Sequence, residues 1–244
     1  MSPPLLVGCP VWRREWVLPT WFEHVEEACH RAAVEPQYLF VTDPSLDPSV
    51  EVIAEEAHMR KRHFQIITVE ERDRPDRRQW TEARLRHMVD VRNALLRGVR
   101  EAEPGFFLSV DSDILLHPQA VASMVEETGR FDAVGGKVYL SKAGTKAPSC
   151  GMLDVNGQMK IRHDLEGHAA PVHVIMAIKL MGPTAYAIDY EYHHKGEDIG
   201  WSIACRRARL KLGWDAKVCS KHIFRQFDDA GRPALSLVDR RCGF

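Results

Sequence analysis

Asp111 and Asp113 are the residues of this chain best spaced for joint chemistry, because they flank Ser112 directly after the apolar run Phe106-Phe107-Leu108-Ser109-Val110. In an extended backbone, residues i and i+2 point to the same side about 6.5 to 7 Å apart, so the two carboxylates can face one site. Ionised carboxylates at the end of so apolar a segment are costly unless paired, hydrogen-bonded or coordinated to a metal. Oxygen donors with room left for phosphates suit Mg²⁺ or Mn²⁺ better than zinc, which prefers nitrogen and sulfur. The carboxyl end of a strand in an open α/β sheet is also where ligands bind. The competing use is structural, with the aspartates capping the loop and the helix that begins near Pro118.

Arg92 adds a cation to this picture. Leu85, Met88, Val89, Leu95, Leu96 and Val99 form one apolar stripe on a helix expected over 81–99, and helical spacing places Arg92 inside it. A guanidinium on a core-facing stripe needs an acidic partner. Asp111, Asp113 or a bound diphosphate would serve, and a purely structural ion pair remains an alternative.

The elements that must position these groups alternate. Leu5 to Pro10 reads as a buried first strand, followed by a loop rich in Trp and Arg and a helix opened by a Thr20/Glu23 capping box. Gln37 to Pro44 reads as a second strand broken at Asp43-Pro44, Val50 to Met59 as a second helix, and His63 to Val69 as a third strand. Glu70 to Arg78 has no apolar period and is expected to be a loop. After the aspartates, a helix from Pro118 should stop near Gly129, and Phe131 to Leu140 is strand-like. Ser141 to Ser149 is polar, and Asn156-Gly157 marks a tight hairpin over 153–161. Val172 to Tyr190 reads as mostly extended, Asp198 to Leu212 as a helix stopped by Gly213, and Trp214 to Ile223 as a last strand. Strands alternating with helices imply βαβ units and a mainly parallel sheet, with an antiparallel excursion after the Asp-x-Asp strand.

Composition sets outer bounds. The 244 residues are 45% hydrophobic and 27% charged, ordinary for a soluble globular chain with a sizeable core. No apolar run approaches the roughly 18 residues that cross a bilayer, and Met1 to Pro10 lacks signal-peptide regions, so a cytoplasmic location is expected. The six cysteines form no Cys-x-x-Cys pair and read as reduced thiols. A net charge of −1 argues against a uniformly basic nucleic-acid binder, although basic residues outnumber acidic ones about two to one between Arg60 and Arg100. That stretch is either a solvated arginine-rich surface or a patch for phosphates or a polyanionic acceptor.

The segments Val91 to Gly98 and Phe106 to Asp113 together resemble the helix and Asp-x-Asp strand of GT-A glycosyltransferases, particularly family 2-like enzymes. The likeness runs from about Leu5 to His222 and implies one GT-A domain: a Rossmann-like, mainly parallel central sheet flanked by helices. Residues 1–117 would form the nucleotide-sugar half, 118–225 the acceptor half and 226–244 a C-terminal extension. It implies a hexosyl- or pentosyltransferase that moves a sugar from a nucleotide-diphosphate sugar to an acceptor hydroxyl with Mn²⁺ or Mg²⁺. Asp111, Asp113 and His222 would hold the metal, while Asp111, Ser112 and Arg92 would face the donor. Asp113 is the safer ligand of the two aspartates, since Asp111 has the ribose or Arg92 as alternatives.

Lys195-Gly196-Glu197-Asp198-Ile199-Gly200 resembles the Glu-Asp motif of inverting GT-A enzymes, which makes Asp198 the general base, with Glu197 beside it. Helix-dipole stabilisation at a helix start is the structural alternative for both acids. Pro10, Trp12, Arg13 and Asp43 occupy places where the family binds base and ribose, Trp12 and Trp16 being either stacking or packing residues. His193 and His194 are candidates for an acceptor loop. Acceptor chemistry stays open among saccharide, lipid-linked intermediate, protein and modified nucleic-acid base.

Two other classes compete. A nucleotidyltransferase also uses a metal-bound Asp pair in an α/β sheet, but the first loop has only Gly8 and cannot build a GxGxxG-type phosphate nest. A binding module that kept the sugar-nucleotide pocket or a nucleic-acid surface without turnover is the non-enzyme alternative.

Overall fold

The computed structural model describes residues 5–42, 47–69, 81–139, 148–154, 159–161 and 169–223. Its strands are β1 (Leu5–Pro10), β2 (Pro36–Thr42), β3 (Phe64–Thr68), β4 (Phe106–Val110), β5 (Ile114–Leu115) and β6 (Ala133–Val138). They continue with β7 (Cys150–Leu153), β8 (Met159–Ile161), β9 (Ala169–Pro171), β10 (Val174–Ile175), β11 (Ile178–Met181) and β12 (Leu212–His222). The helices are α1 (Leu18–Arg31), α2 (Ser49–Met59), α3 (Glu82–Ala102), α4 (Ala120–Glu126), α5 (Pro183–Tyr186) and α6 (Glu197–Arg207).

The main sheet runs β3-β2-β1-β4-β11-β6-β12-β5, with β9 on the outer side of β12. β3, β2, β1 and β4 are mutually parallel, β11 lies antiparallel between β4 and β6, and β6 is parallel to β12. This is the GT-A-type α/β architecture expected from the sequence. β10, β7 and β8 form a separate small antiparallel sheet in which β7 and β8 pair as the expected hairpin, but Leu153 lies opposite Met159, one residue out of the register that a two-residue Asn156-Gly157 turn would set. Asn156 and Gly157 lie outside the described residues, as do Asp43, Glu70 to Arg78, most of Ser141 to Ser149, Cys242 and residues 226–244.

Side-chain alternation divides the core into two layers. Val7, Tyr38, Phe40, Leu108 and Val110 pack with Trp21, Phe22 and Val25 of α1 on one face. Leu6, Leu39, Val41 and Phe107 pack with Leu95, Leu96 and Val99 of α3 on the other. Period-two patterning therefore gives every central strand two buried faces, as expected for a parallel sheet covered by helices. Gly8 serves this packing directly, since a Cβ there would lie 2.1 Å from the Leu39 carbonyl oxygen of the neighbouring strand.

Several boundaries differ from expectation. α1 starts at Leu18 with no side-chain cap, because Pro19 in its first turn presets helical φ without needing an N–H partner, so the Thr20 capping box is not used. α3 is longer than expected, running on to a left-handed Glu103, and Thr81 is its N-cap, accepting from Arg84 N at 3.3 Å. α4 is only the turns Ala120–Glu126, ending before Gly129. Within the 172–190 stretch, Pro183 begins α5 instead of continuing the extended chain. α6 stops at Arg207, not near Gly213, because Arg209 turns left-handed (φ 62°) and Leu212 already pairs with Ala133 of β6. Of the cysteines, Cys9, Cys29, Cys150, Cys205 and Cys219 are free thiols.

No helix among the described residues is long and apolar enough to cross a membrane.

Candidate active site

β4 delivers the aspartates. The chain leaves the buried Val110, turns through Asp111-Ser112-Asp113 and enters β5. Backbone hydrogen bonds fix the turn: Asp111 N donates to Ala177 O (3.3 Å), Ile114 N to Asp111 O (2.9 Å) and Ile223 N to Asp113 O (2.8 Å). The Trp21 indole of α1 also donates to Asp111 O at 3.2 Å. Ser112 is buried between the two carboxylates.

They have different partners. Asp111 Oδ1 receives Arg92 Nη2 at 2.5 Å. Asp113 Oδ2 receives Arg14 Nη2 at 2.7 Å, and its Oδ1 lies 3.5 Å from His222 Nε2. His222 reaches Asp113 because β12 pairs antiparallel with β5, setting His222 opposite Ile114.

Arg92 is 3% exposed on the core-facing side of α3, as its place in the apolar stripe demands. Besides Asp111, it contacts Ser109 Oγ at 3.5 Å and holds Nε 3.6 Å from Glu197 Oε1. Burial alone would lower its pKa, but Asp111, Tyr190, Asp198 and Glu197 outweigh burial and raise it well above the ordinary arginine value. Arg92 is therefore a permanent cation linking the Asp-x-Asp turn to the start of α6.

Glu197 and Asp198 occupy the first turn of α6 after Gly196, whose φ of 135° strongly favours glycine. Gly200 lets that turn pass beneath the preceding segment, because a Cβ there would lie 1.9 Å from Glu191 O. Asp198 Oδ1 lies 2.7 Å from Lys179 Nζ, and its Oδ2 accepts from Ala177 N at 3.1 Å. Burial pushes the Asp198 carboxyl up, yet Lys179, Arg92 and the two hydrogen bonds hold it below the usual carboxylate range. Burial and the Asp198 charge push Glu197 the other way, above that range, against Arg92. Adjacent acids thus have environments that separate their proton affinities, a pattern typical of acid–base sites.

Ala177 ties the two acidic segments together. Its left-handed backbone (φ 64°) aims its N–H at Asp198 and its C=O at Asp111 N. Asn93, next to Arg92 in the middle of α3, exchanges two hydrogen bonds with the Tyr190 backbone, at 3.0 and 2.7 Å.

The loop after β1 is anchored from the segment before α2. Pro10 ends β1 opposite Val41, Trp12 lies with the Arg13 guanidinium 5.5 Å from its ring centroid, and Trp16 packs on the core. Buried Asp47 clamps the loop: Oδ1 accepts from Arg13 N (3.0 Å) and Ser49 N (2.9 Å), and Oδ2 from Thr42 Oγ1 (2.7 Å). The His193 and His194 rings lie 4.4 Å apart, tilted by 31°, in the segment before α6, with His194 and Lys195 exposed.

Sequence reasoning missed Lys179, Arg14, Asp47 and Ala177. A signal existed for Lys179, a single charge inside Ile178-Lys179-Leu180-Met181. The others are long-range partners with no local pattern.

Asp113 and His222 form a two-donor set, and no third His, Cys, Asp or Glu side chain converges with them among the described residues. One carboxylate and one imidazole would suit Mg²⁺ or Mn²⁺ if oxygen donors from elsewhere completed the shell. They do not make the closed four-ligand shell of a structural zinc site.

The sheet order is that of a GT-A-type α/β fold, and its acidic groups stand at the β4 carboxyl end, the edge at which open α/β sheets bind ligands. Among solved structures the chain is similar to S. aureus TarS residues 1–349 in complex with UDP-GlcNAc, with TM-score 0.60, 14% identity, and coverage of 92% of this chain and 60% of that one. A second structure of TarS 1–349 matches with TM-score 0.55, 12% identity, and coverage of 90% and 60%. The chain thus spans about 60% of the length of these neighbours, and at such identity the likeness is one of fold. No protein-family profile and no curated protein matches the sequence.

Proposed function

We propose that the protein is a metal-dependent glycosyltransferase that moves a sugar from a nucleotide-diphosphate sugar to an acceptor hydroxyl with inversion. The observation that carries this reading is Arg92, which joins Asp111 of the Asp-x-Asp turn to Glu197 beside Asp198. Separate acidic motifs, 84 residues apart (197 − 113), are thereby parts of one site. The fold shared with a chain that binds UDP-GlcNAc supports a nucleotide-sugar as donor.

Asp113 and His222 would hold Mn²⁺ or Mg²⁺, which when bound neutralises the departing diphosphate. Arg92 keeps Asp111 oriented towards the donor. Asp198, ionised through Lys179, accepts the proton of the acceptor hydroxyl as that oxygen attacks the sugar C1 and the bond from C1 to the diphosphate oxygen breaks. The proton ends on Asp198 and the bonding electrons leave with the diphosphate. Residues 1–117 serve the donor and 118–225 the acceptor, with His193 and His194 on the acceptor side.

The test is release of nucleoside diphosphate from a panel of nucleotide-sugars, beginning with UDP-GlcNAc, with and without Mn²⁺ and a panel of hydroxyl acceptors. Mn²⁺-dependent release is expected. Tight donor binding without release under any condition would convert the reading to a non-catalytic sugar-nucleotide module.

A further inference from the structure

Arg14 stands where a divalent ion would compete with it. Its Nη2 lies 2.7 Å from Asp113 Oδ2, on the carboxylate whose other oxygen faces His222, and both side chains of the ion pair are largely buried. The loop that presents it does not depend on the guanidinium. Arg14 N donates to Ser49 Oγ at 2.7 Å, and Asp47 holds the preceding residue. Left-handed Arg13 (φ 50°) turns the chain there. Backbone anchoring thus leaves the Arg14 side chain able to change partners without unfolding the loop.

We propose that Arg14 is the resident counter-ion of Asp113, yields that carboxylate to the incoming divalent cation, and then binds the diphosphate that accompanies it. This inference rests on the glycosyltransferase reading and adds an exchange step to it. A guanidinium and a divalent cation on one partly buried carboxylate repel each other, so the ion pair opposes metal binding in the absence of donor. A nucleoside diphosphate reverses the balance, because it offers the displaced guanidinium a new anion with bidentate hydrogen-bonding geometry. Metal and donor would therefore bind cooperatively, each removing part of the other's cost.

Arg14→Ala separates this from a merely structural ion pair, because its two effects have opposite signs. Mn²⁺ alone, titrated by calorimetry, should bind Arg14→Ala about tenfold more tightly than wild type. UDP, titrated at saturating Mn²⁺, should bind the same variant about tenfold or more weakly. Arg14→Lys should fall between the two on both measures. Thermal unfolding checks that each variant is folded. Mn²⁺ affinity unchanged or weakened by Arg14→Ala overturns the inference, as does unchanged UDP affinity. If Asp113→Asn abolishes Mn²⁺ binding while Arg14→Ala leaves it unchanged, the exchange fails and the metal site stands. If Mn²⁺ binds neither wild type nor Arg14→Ala, both fail.

Discussion

Lys179 Nζ lies 2.7 Å from Asp198 Oδ1, joining a fully buried lysine of β11 to the second residue of α6. Either charge alone at this depth would neutralise. Burial lowers the lysine and raises the aspartate, but the pairing reverses both, leaving Lys179 well above and Asp198 below their ordinary values. The Asp198 contribution to stability is therefore present above its unfolded value of about 3.9 and lost as pH falls through its lowered folded value. The Lys179 contribution is present below about 10.4 and lost as pH rises through its raised folded value.

Lys179→Met should remove about 3 to 5 kcal/mol of stability in urea denaturation, because Asp198 is left buried and unpaired. Replacing Asp198 as well, in a Lys179→Met/Asp198→Leu variant, should restore part of that loss. In activity assays, the acid limb of the Lys179→Met kcat/KM profile should move to higher pH, since burial then acts on Asp198 without its cation. An unmoved limb would mean that Asp198 is not the titrating base.

Asp198→Asn should lower kcat for diphosphate release by roughly 10²- to 10⁴-fold, the range of a lost general base, while UDP-GlcNAc affinity changes little. Glu197→Gln leaves Asp198 in place and loosens Arg92, so its main effect should fall on donor KM. Equal loss of donor binding in both variants would remove the distinction between base and neighbour.

Chelation with EDTA should abolish turnover, and Mn²⁺ should restore it. Asp113→Asn should not recover at any Mn²⁺ concentration, whereas His222→Ala should recover with a higher Mn²⁺ requirement, having kept the carboxylate. Full EDTA-resistant turnover would exclude a metal role for this pair.

Asp47→Ala should destabilise the protein by about 1 to 3 kcal/mol in thermal unfolding, because two backbone N–H groups and the Thr42 hydroxyl lose their acceptor. Donor KM should rise with it, since the loop bearing Trp12, Arg13 and Arg14 is released. Wild-type donor KM in a folded Asp47→Ala protein would separate this loop from the donor site.

Much of this protein was legible because the signals were local. The two-faced apolar strands, the α3 stripe with Arg92 inside it, and the strand end that exposes Asp111 and Asp113 all follow from alternation, helical period and the cost of burying charge. Helix ends were less legible, because Pro19, left-handed Arg209 and the capture of Leu212 by β6 decide them.

By itself the sequence determined that Arg92 carries its charge into the core, that Asp111 and Asp113 stand at the end of a buried strand, and that the sheet is mainly parallel. Only the tertiary structure decided their partners: Arg14 with Asp113, Lys179 with Asp198, and Asp47 with the loop after β1. A buried charge announces its need for a counter-charge through its apolar neighbours. Which counter-charge it meets is set by strand order, above all by β11 inserting antiparallel between β4 and β6, and no local spacing encodes that contact.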